Sequence, residues 1–464
     1  MIQKGIEPNT EIYSTLINIS KDYKIGKQLF DEMIQKGIEP NTEIYSTLIN
    51  ISKDYKIGKQ LFDEMIQKGI EPDAPTYGTL INLSRDYKIG QQLFDEMIQK
   101  GIEPDAATYS TLINLSKDYK IGQQLFDEMI LKGIEPVAAT YGTLTNLSKD
   151  YKIGKHLFEE MIQKGIEPNK EIYATLINLS KDYKIGKQLF DEMIQKGIEP
   201  DAATYSTLTN ISKDYKIGKQ LFDEMIQKGI LPDAATYGTL INISKDYKIG
   251  KQLFDEMILK GIEPNKEIYG TLINLSRDYK IGKQLFDEMI QKGISPDAAT
   301  YGTLINLSRD YKIGKQLFDE MILKGIEPNV QIFTLLISLS KNKTIGRDLF
   351  NDMIGKKIKP NTRALNALIW LYKDSYQQAI FILETEFIQY QVKPDAYTFT
   401  KLMTICRNFD VAIGLFEQMC GHNISPSDRT FHVLNALANN KIENQNRLKT
   451  LWDIWQHKIN ERGI

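Results

Sequence analysis

Apolar positions return along this chain with two nested periods. The short one is helical. In the stretch that begins at Ile38, Tyr45, Leu48, Ile49 and Ser52 fall at i, i+3, i+4 and i+7, the spacing of one helix face. A second apolar face follows and carries Ile57, Leu61, Phe62, Met65 and Ile66. Asn41 stands before the first helix and Asp54 before the second. Both are residue types whose side chains accept the orphan N–H groups of a first helical turn. The segment from Lys68 to Pro72 closes the second helix with Gly69, then the apolar Ile70, then proline, the ingredients of a Schellman stop. The turn between the helices is very short, so the two are expected to pack antiparallel. No stretch alternates in the manner of a strand.

The long period is 32 residues. Pro8, Pro40, Pro72 and every further proline of this series to Pro360 keep that spacing; Pro394 follows after 34 residues and Pro426 after another 32. Residues 1–32 and 33–64 are identical, and from about Asn329 the copies diverge while the spacing persists. A repeat of this size cannot bury its apolar face alone and must stack on its neighbours. The pattern predicts an all-α, right-handed α-solenoid of tandem helix-turn-helix repeats, with about 27 helices and helix A on the concave side. Near-identical repeats occupy 1–360, divergent ones 361–426, and a degenerate last repeat or cap 427–464, which includes Trp452 and Trp455. The 34-residue unit between Pro360 and Pro394 is expected to be locally irregular. Gly58 lies inside helix B, where glycine costs about 1 kcal/mol relative to alanine. Its recurrence through Gly346 predicts the close approach of a neighbouring helix.

Three words identify the repeat: Tyr45 to Asn50, Leu61 to Met65, and Lys68 to Asp73. In this order, and recurring more than ten times, they resemble the pentatricopeptide repeat over nearly the whole chain. Tetratricopeptide repeats, the nearest relatives, lack the Lys-Gly-Ile-x-Pro-Asp ending. The unit departs from the family's usual length of about 35 residues, with the deletion between Ile49 and Leu61. The resemblance implies binding of single-stranded RNA, one base per repeat, read by a small set of side chains.

In the family one reader follows the helix-A aromatic and the other follows the proline that closes the same repeat. Carried over, the pairs are Ser14 with Asn41, Ser46 with Asp73, Gly78 with Asp105, Ser110 with Val137, Gly142 with Asn169, Ala174 with Asp201, and Ser206 with Asp233. They continue as Gly238 with Asn265, Gly270 with Asp297, Gly302 with Asn329, Thr334 with Asn361, Asn366 with Asp395, and Thr400 with Ser427. By the same resemblance Ser or Thr with Asn favours adenine, Ser or Thr with Asp guanine, and Asn with Asp uracil, while pairs containing Gly, Ala or Val, or ending in Ser, are permissive. The second column doubles as the N-cap of helix A, so capping competes with readout as its role. Both columns vary in an array whose core positions barely change. The column that wedges between bases in the family holds Glu43, Pro75, Ala107, Glu171 and Glu267 here, which are poor wedges. Lys21, Lys53, Arg85, Lys117, Lys149, Lys181, Lys213, Lys245, Arg277 and Arg309, at the end of helix A, are the candidate phosphate contacts.

Composition narrows the remaining options. Apolar residues make up 42% of the chain and charged ones 25%, which excludes collagen-like and broadly disordered chains. A net charge of −2, from 58 basic and 60 acidic residues, means that any attraction for a polyanion must come from segregation of charge. Cys406 and Cys420 cannot make a disulfide framework and read as reduced core residues. No apolar run approaches the roughly 18 residues of a membrane span. The first residues, MIQKGIEPN, repeat Met33 to Asn41 and read as the tail of a repeat rather than as a signal or transit peptide. His156, His422, His432 and His457 are scattered without metal spacing, and no catalytic constellation, cofactor motif or metal site is legible. The Asn-x-Ser matches from Asn18 through Asn306 read as products of the repeat rather than glycosylation sites. The expected product is a monomeric, non-enzymatic RNA-binding protein acting in RNA stabilisation, processing or translation, with other proteins of an RNA-processing complex as further partners and, by family resemblance, a mitochondrion or plastid as its compartment. The alternative is a protein-interaction scaffold of the tetratricopeptide-like type.

Overall fold

The computed structural model describes residues 9–439 and 441–462, with side chains placed as far as Trp452. Among these residues every element is helical, and 28 helices follow one another as A–B pairs, the all-α solenoid organisation expected from the repeat. Contacts group into two units, Met1–Ile243 and Ser244–Ile464. Within each unit a helix A packs on its own helix B and on the next helix A, and helix B on that same next helix A. Neighbour-only packing is what makes each repeat depend on the one beside it.

The pair Thr42–Ser52 and Tyr55–Gln67 stands for the array. Asn41 caps the first helix by accepting the Ile44 N–H, and Asp54 caps the second by accepting that of Ile57. Between them the chain turns in two residues, the first of which, Lys53, adopts the left-handed conformation at φ 53°. Helix B ends as expected: Gly69 has φ +73°, its N–H donates to the Ile66 carbonyl, and the Ile70 N–H reaches back to Met65. Lys357, Gln391 and Asn423 take the glycine's place in the divergent repeats, at φ between 54° and 60°.

The buried stripes differ in detail from those read off the sequence. Helix A buries Ile44, Tyr45, Leu48 and Ile49, while Ser52 lies at the helix end with its hydroxyl donated to the Ile49 carbonyl. Helix B buries Gly58, Leu61, Phe62 and Met65, and Ile66 is 39% exposed. Gly58, Leu61, Phe62 and Met65 already complete the i, i+3, i+4, i+7 stripe, so Ile57 and Ile66 fall on its two margins. The glycine belongs to the stripe because a Cβ there would stand 3.2 Å from Leu83 Cδ1 and 3.3 Å from Ile49 Cγ2.

Successive repeats are joined by aromatic edges. Phe62 of one helix B meets Tyr77 of the next helix A at 5.1 Å between centroids and 75° between planes, and the same T-shaped pair recurs along the array. Such pairs contribute about 0.5–1.5 kcal/mol beyond the area they bury. Each buried tyrosine needs a partner for its hydroxyl. Tyr45 donates to Glu64 at 3.0 Å, and Lys68 pairs with the same carboxylate at 2.9 Å. Burial alone would raise Glu64, but the Lys68 and Tyr45 hydrogen bonds outweigh it and hold the carboxyl below its ordinary pKa.

The irregular unit absorbs its two extra residues in two places. Its helix A, Thr362–Leu371, is followed by a four-residue turn, and its helix B, Tyr376–Gln389, contains a π-helical turn over Ile382–Glu386. A π-turn is the ordinary way to insert one residue without ending a helix.

Candidate functional site

The part of helix A left uncovered by its neighbours lines open grooves. In the unit Met1–Ile243 one groove takes in Asn41, Ser46 and Asp73, and another takes in Asn82, Asn114 and Asn146 with Arg85, Lys117 and Lys149. In the unit Ser244–Ile464 a groove takes in Gly302, Asn329, Thr334, Asn361 and Asp395 together with Asn274 and Asn306. Ser46 and Asn50 are i and i+4 on one helix and so share a face, and Lys53 stands in the turn directly after that helix.

The second reader column is the row of helix caps. Asn9, Asn41, Asp73, Asp105, Asn169, Asp201, Asp233, Asn265, Asp297, Asn329, Asn361, Asp395 and Ser427 each accept the N–H three residues on, at 2.8–3.3 Å. Where the cap is Asn or Asp, the accepting atom is Oδ1. Capping therefore uses one end of the group and leaves Nδ2 of Asn or Oδ2 of Asp for another partner. Val137 has no acceptor and makes no such bond; Thr140 instead accepts the Val137 N–H at 3.3 Å. Val137→Asp is expected to raise local stability by about 1 kcal/mol, read as a higher urea midpoint; an unchanged midpoint would mean that Thr140 already satisfies this helix end.

Two caps are engaged at Oδ2 as well. Asp201 Oδ2 pairs with Lys170 at 2.6 Å, and Asp297 Oδ2 with Lys266 at 3.0 Å. Both lysines are the first residue of the preceding helix A, a position held elsewhere by Thr42 or Ala74. The first-column residues of these repeats, Ala174 and Gly270, bring no polar group.

The first column is less uniform than its sequence pattern. Ser46 and Thr334 are half-buried at the groove, and the Thr334 hydroxyl donates to the Val330 carbonyl at 2.6 Å. Ser110 shares a hydrogen bond with Thr140 Oγ1 at 2.7 Å, and Ser206 with Thr239 Oγ1 at 2.8 Å. Gly78, Gly142, Gly238, Gly270 and Gly302 offer only backbone. Ser14, Asn366 and Thr400 are buried, at 5%, 2% and 3% exposure. Asn366 donates Nδ2 to Asp395 Oδ1 at 3.3 Å, so the two members of that pair bind each other, and Thr400 bonds to Ala396 and Thr430. Their place directly after the helix-A aromatic predicts a groove-facing side chain, but all three are buried, Asn366 and Thr400 against Asp395 and Thr430 at the start of the next helix A.

All ten lysines and arginines of the candidate phosphate column are exposed, with φ between 49° and 53°. Lysines further along helix B are instead tied to their own helix, as Lys59 is to Asp63 and Lys68 to Glu64. One column was missed in the sequence. Asn82, Asn114, Asn146 and Asn178 line the groove beside the basic residues. Their signal was present, since an asparagine recurs four residues after the first reader, on the same helix face.

Among the described residues no group of three or more His, Cys, Asp or Glu gathers to hold a metal, and no helix is long and apolar enough to cross a membrane. Cys406 and Cys420 are half-buried rather than core, and burial pushes the Cys406 thiol up. His457 lies outside the described side chains.

A family model described as a pentatricopeptide repeat domain matches residues 1–55, 60–119, 92–150, 124–182, 156–214, 188–246, 220–279, 252–311 and 316–375. The crystal structure of the pentatricopeptide repeat protein PPR10 from maize is similar at 18% identity and a TM-score of 0.55, covering 100% of this chain and 81% of that one. PPR10 in complex with an 18-nt psaJ RNA element matches at 17% identity and a TM-score of 0.49, over 98% and 85% of the two chains. No curated protein sequence matches the chain.

Proposed function

The chain belongs to the pentatricopeptide repeat family, and on that premise we propose that its helix-A groove holds single-stranded RNA, about one base per repeat, without catalysing a reaction on it. The observation that carries this reading is the divided use of the second column. Oδ1 is spent on the helix cap, and outside the lysine-paired Asp201 and Asp297 the other end of the Asn or Asp remains for a base edge. An asparagine then presents a donor and an aspartate an acceptor, a distinction that a cap alone does not require. PPR10, whose fold this chain shares, is itself seen with an RNA element.

The code then follows the pairs with polar readers. Ser46 with Asp73 and Ser206 with Asp233 favour guanine, and Thr334 with Asn361 favours adenine. The repeats of Asp201 and Asp297 present a lysine in place of a free carboxylate, so guanine is not favoured there. The near-identical repeats of 1–360 would do the reading. Protection of an RNA segment, its processing or exposure of a translation start would be the consequence. The test is selection of bound sequences from a random RNA pool with single-stranded DNA as competitor. Enrichment of a purine-leaning motif supports the reading, and indifference between RNA and DNA, or no binding, overturns it.

The basic column gives an independent check. Lys181 sits at φ 49°, which glycine adopts without strain. Lys181→Gly is therefore expected to stabilise the fold by about 0.5–1 kcal/mol and to weaken RNA binding. The logarithmic salt slope should fall by about 0.7 if Lys181 meets one phosphate. An unchanged slope removes Lys181 from the phosphate contacts.

A further inference from the structure

The divergent repeats put different chemistry into the groove columns. Where other repeats carry Asn50 in the asparagine column, Glu43 in the wedge column and Thr47 beside it, residues 361–406 carry Trp370, Tyr397 and Lys401. Trp370 and Tyr397 are 43% and 48% exposed. Lys401 lies between them, with Nζ 5.3 Å from the Trp370 ring centroid and 4.7 Å from that of Tyr397, and donates to the Asn366 carbonyl at 3.0 Å. Beneath it Asn366 is engaged with Asp395, and the Asn366 Oδ1 is buried without a partner. Burial, with Arg429 nearby, holds the Lys401 ammonium down to about 8.

We infer that Trp370, Lys401 and Tyr397 form a stacking subsite, which holds one or two bases of the bound RNA by their faces and without regard to their identity. This rests on the RNA reading above. The first-column residues here, Asn366 and Thr400, are too buried to meet a base edge. The groups left at the surface are two aromatic rings, a poorly solvated cation in Lys401, and the exposed Lys373, whose Nζ is 5.9 Å from the Trp370 centroid. Every base has a π-face, so stacking on an aromatic ring is tolerant of sequence. A cation held over the rings sits where the phosphate beside a stacked base would pass, and its attraction to that phosphate is strengthened by its desolvation. The Asn366/Asp395 pair would then not select uracil, because its two polar groups are already bonded to each other. A peptide could also stack on these rings; RNA is favoured because the subsite continues the columns that carry the readers.

The experiment measures tryptophan fluorescence and affinity on the full chain, with fluorescein-labelled oligoadenylate and oligouridylate of equal length. RNA should quench a component of the emission that is lost in Trp370→Phe, since the phenyl ring keeps the stack and removes the reporter. Trp370→Ala and Tyr397→Ala should each weaken both RNAs by a similar factor, roughly 5- to 10-fold, with Trp370→Phe near wild type. Rescue by Phe separates a stacking role from loss of structure. RNA binding that proceeds with no Trp370-dependent quenching, or with Trp370→Ala at wild-type affinity, overturns the subsite and leaves the RNA reading standing. Loss confined to oligouridylate overturns its indifference to sequence. Failure of the wild-type chain to bind either RNA defeats both.

Discussion

Gly186→Leu is expected to destabilise its neighbourhood by at least about 1–3 kcal/mol, the usual cost of forcing methylenes into a packed contact. Gly186 lies on helix B, Tyr183–Gln195, where a Cβ would press into Ile211 Cδ1 and meet Leu208 Cδ1 at 3.4 Å and Ile177 Cγ2 at 3.5 Å. A single methyl could be met by a turn of the Ile211 side chain. An isobutyl group would push apart the helix A on each side. Because repeats stabilise only their neighbours, weakening one interface uncouples the segments on either side. Thermal unfolding should split into two transitions, visible by calorimetry. One transition at the wild-type temperature would mean that helix B tolerates bulk there and that the recurrent glycine has another cause. Gly142→Ala makes a useful control, since nothing lies within 4 Å of a Cβ at that position. Replacing glycine by alanine inside this helix should stabilise it by about 0.5–1 kcal/mol.

Asn361→Asp is expected to move base preference at its repeat from adenine to guanine with little change in stability. The cap accounts for the unchanged stability: Asn361 Oδ1 accepts the Ala364 N–H at 2.9 Å, and Asp73 makes the same bond to Thr76 at 2.9 Å. What changes is the other end of the side chain, from an amide donor to a carboxylate acceptor. A well-made base contact discriminates by about 1–3 kcal/mol on duplex DNA. A single strand with poor wedges between its bases should lie at the lower end, about 1 kcal/mol or five- to tenfold in relative affinity. The measurement is binding to RNAs that differ only at the facing base. Equal loss for every RNA would make Asn361 a cap and nothing more. Retained preference for adenine would remove the carried-over code from this repeat.

The helix pairs, their caps, the glycine stop and the repeat length were all legible along the chain, because each depends on interactions within one or two turns. Asn41 caps a helix through its own backbone neighbourhood, and Gly69 ends one through its own φ. The recurrent Gly58 pointed to a close contact before the helix that makes it could be identified. Tertiary packing decided the rest. It moved Ile66 to the margin of the core, since four residues already filled the stripe. It set Tyr45 against Glu64 and Phe62 against Tyr77, pairings that span a helix turn and a repeat boundary. It also divided the reader columns. Ser46 remained at the groove, whereas Asn366 and Thr400, at the same register, are buried against Asp395 and Thr430 at the start of the next helix A. Register places a residue on a helix face; only the neighbouring repeat determines how much of that face is left for a ligand.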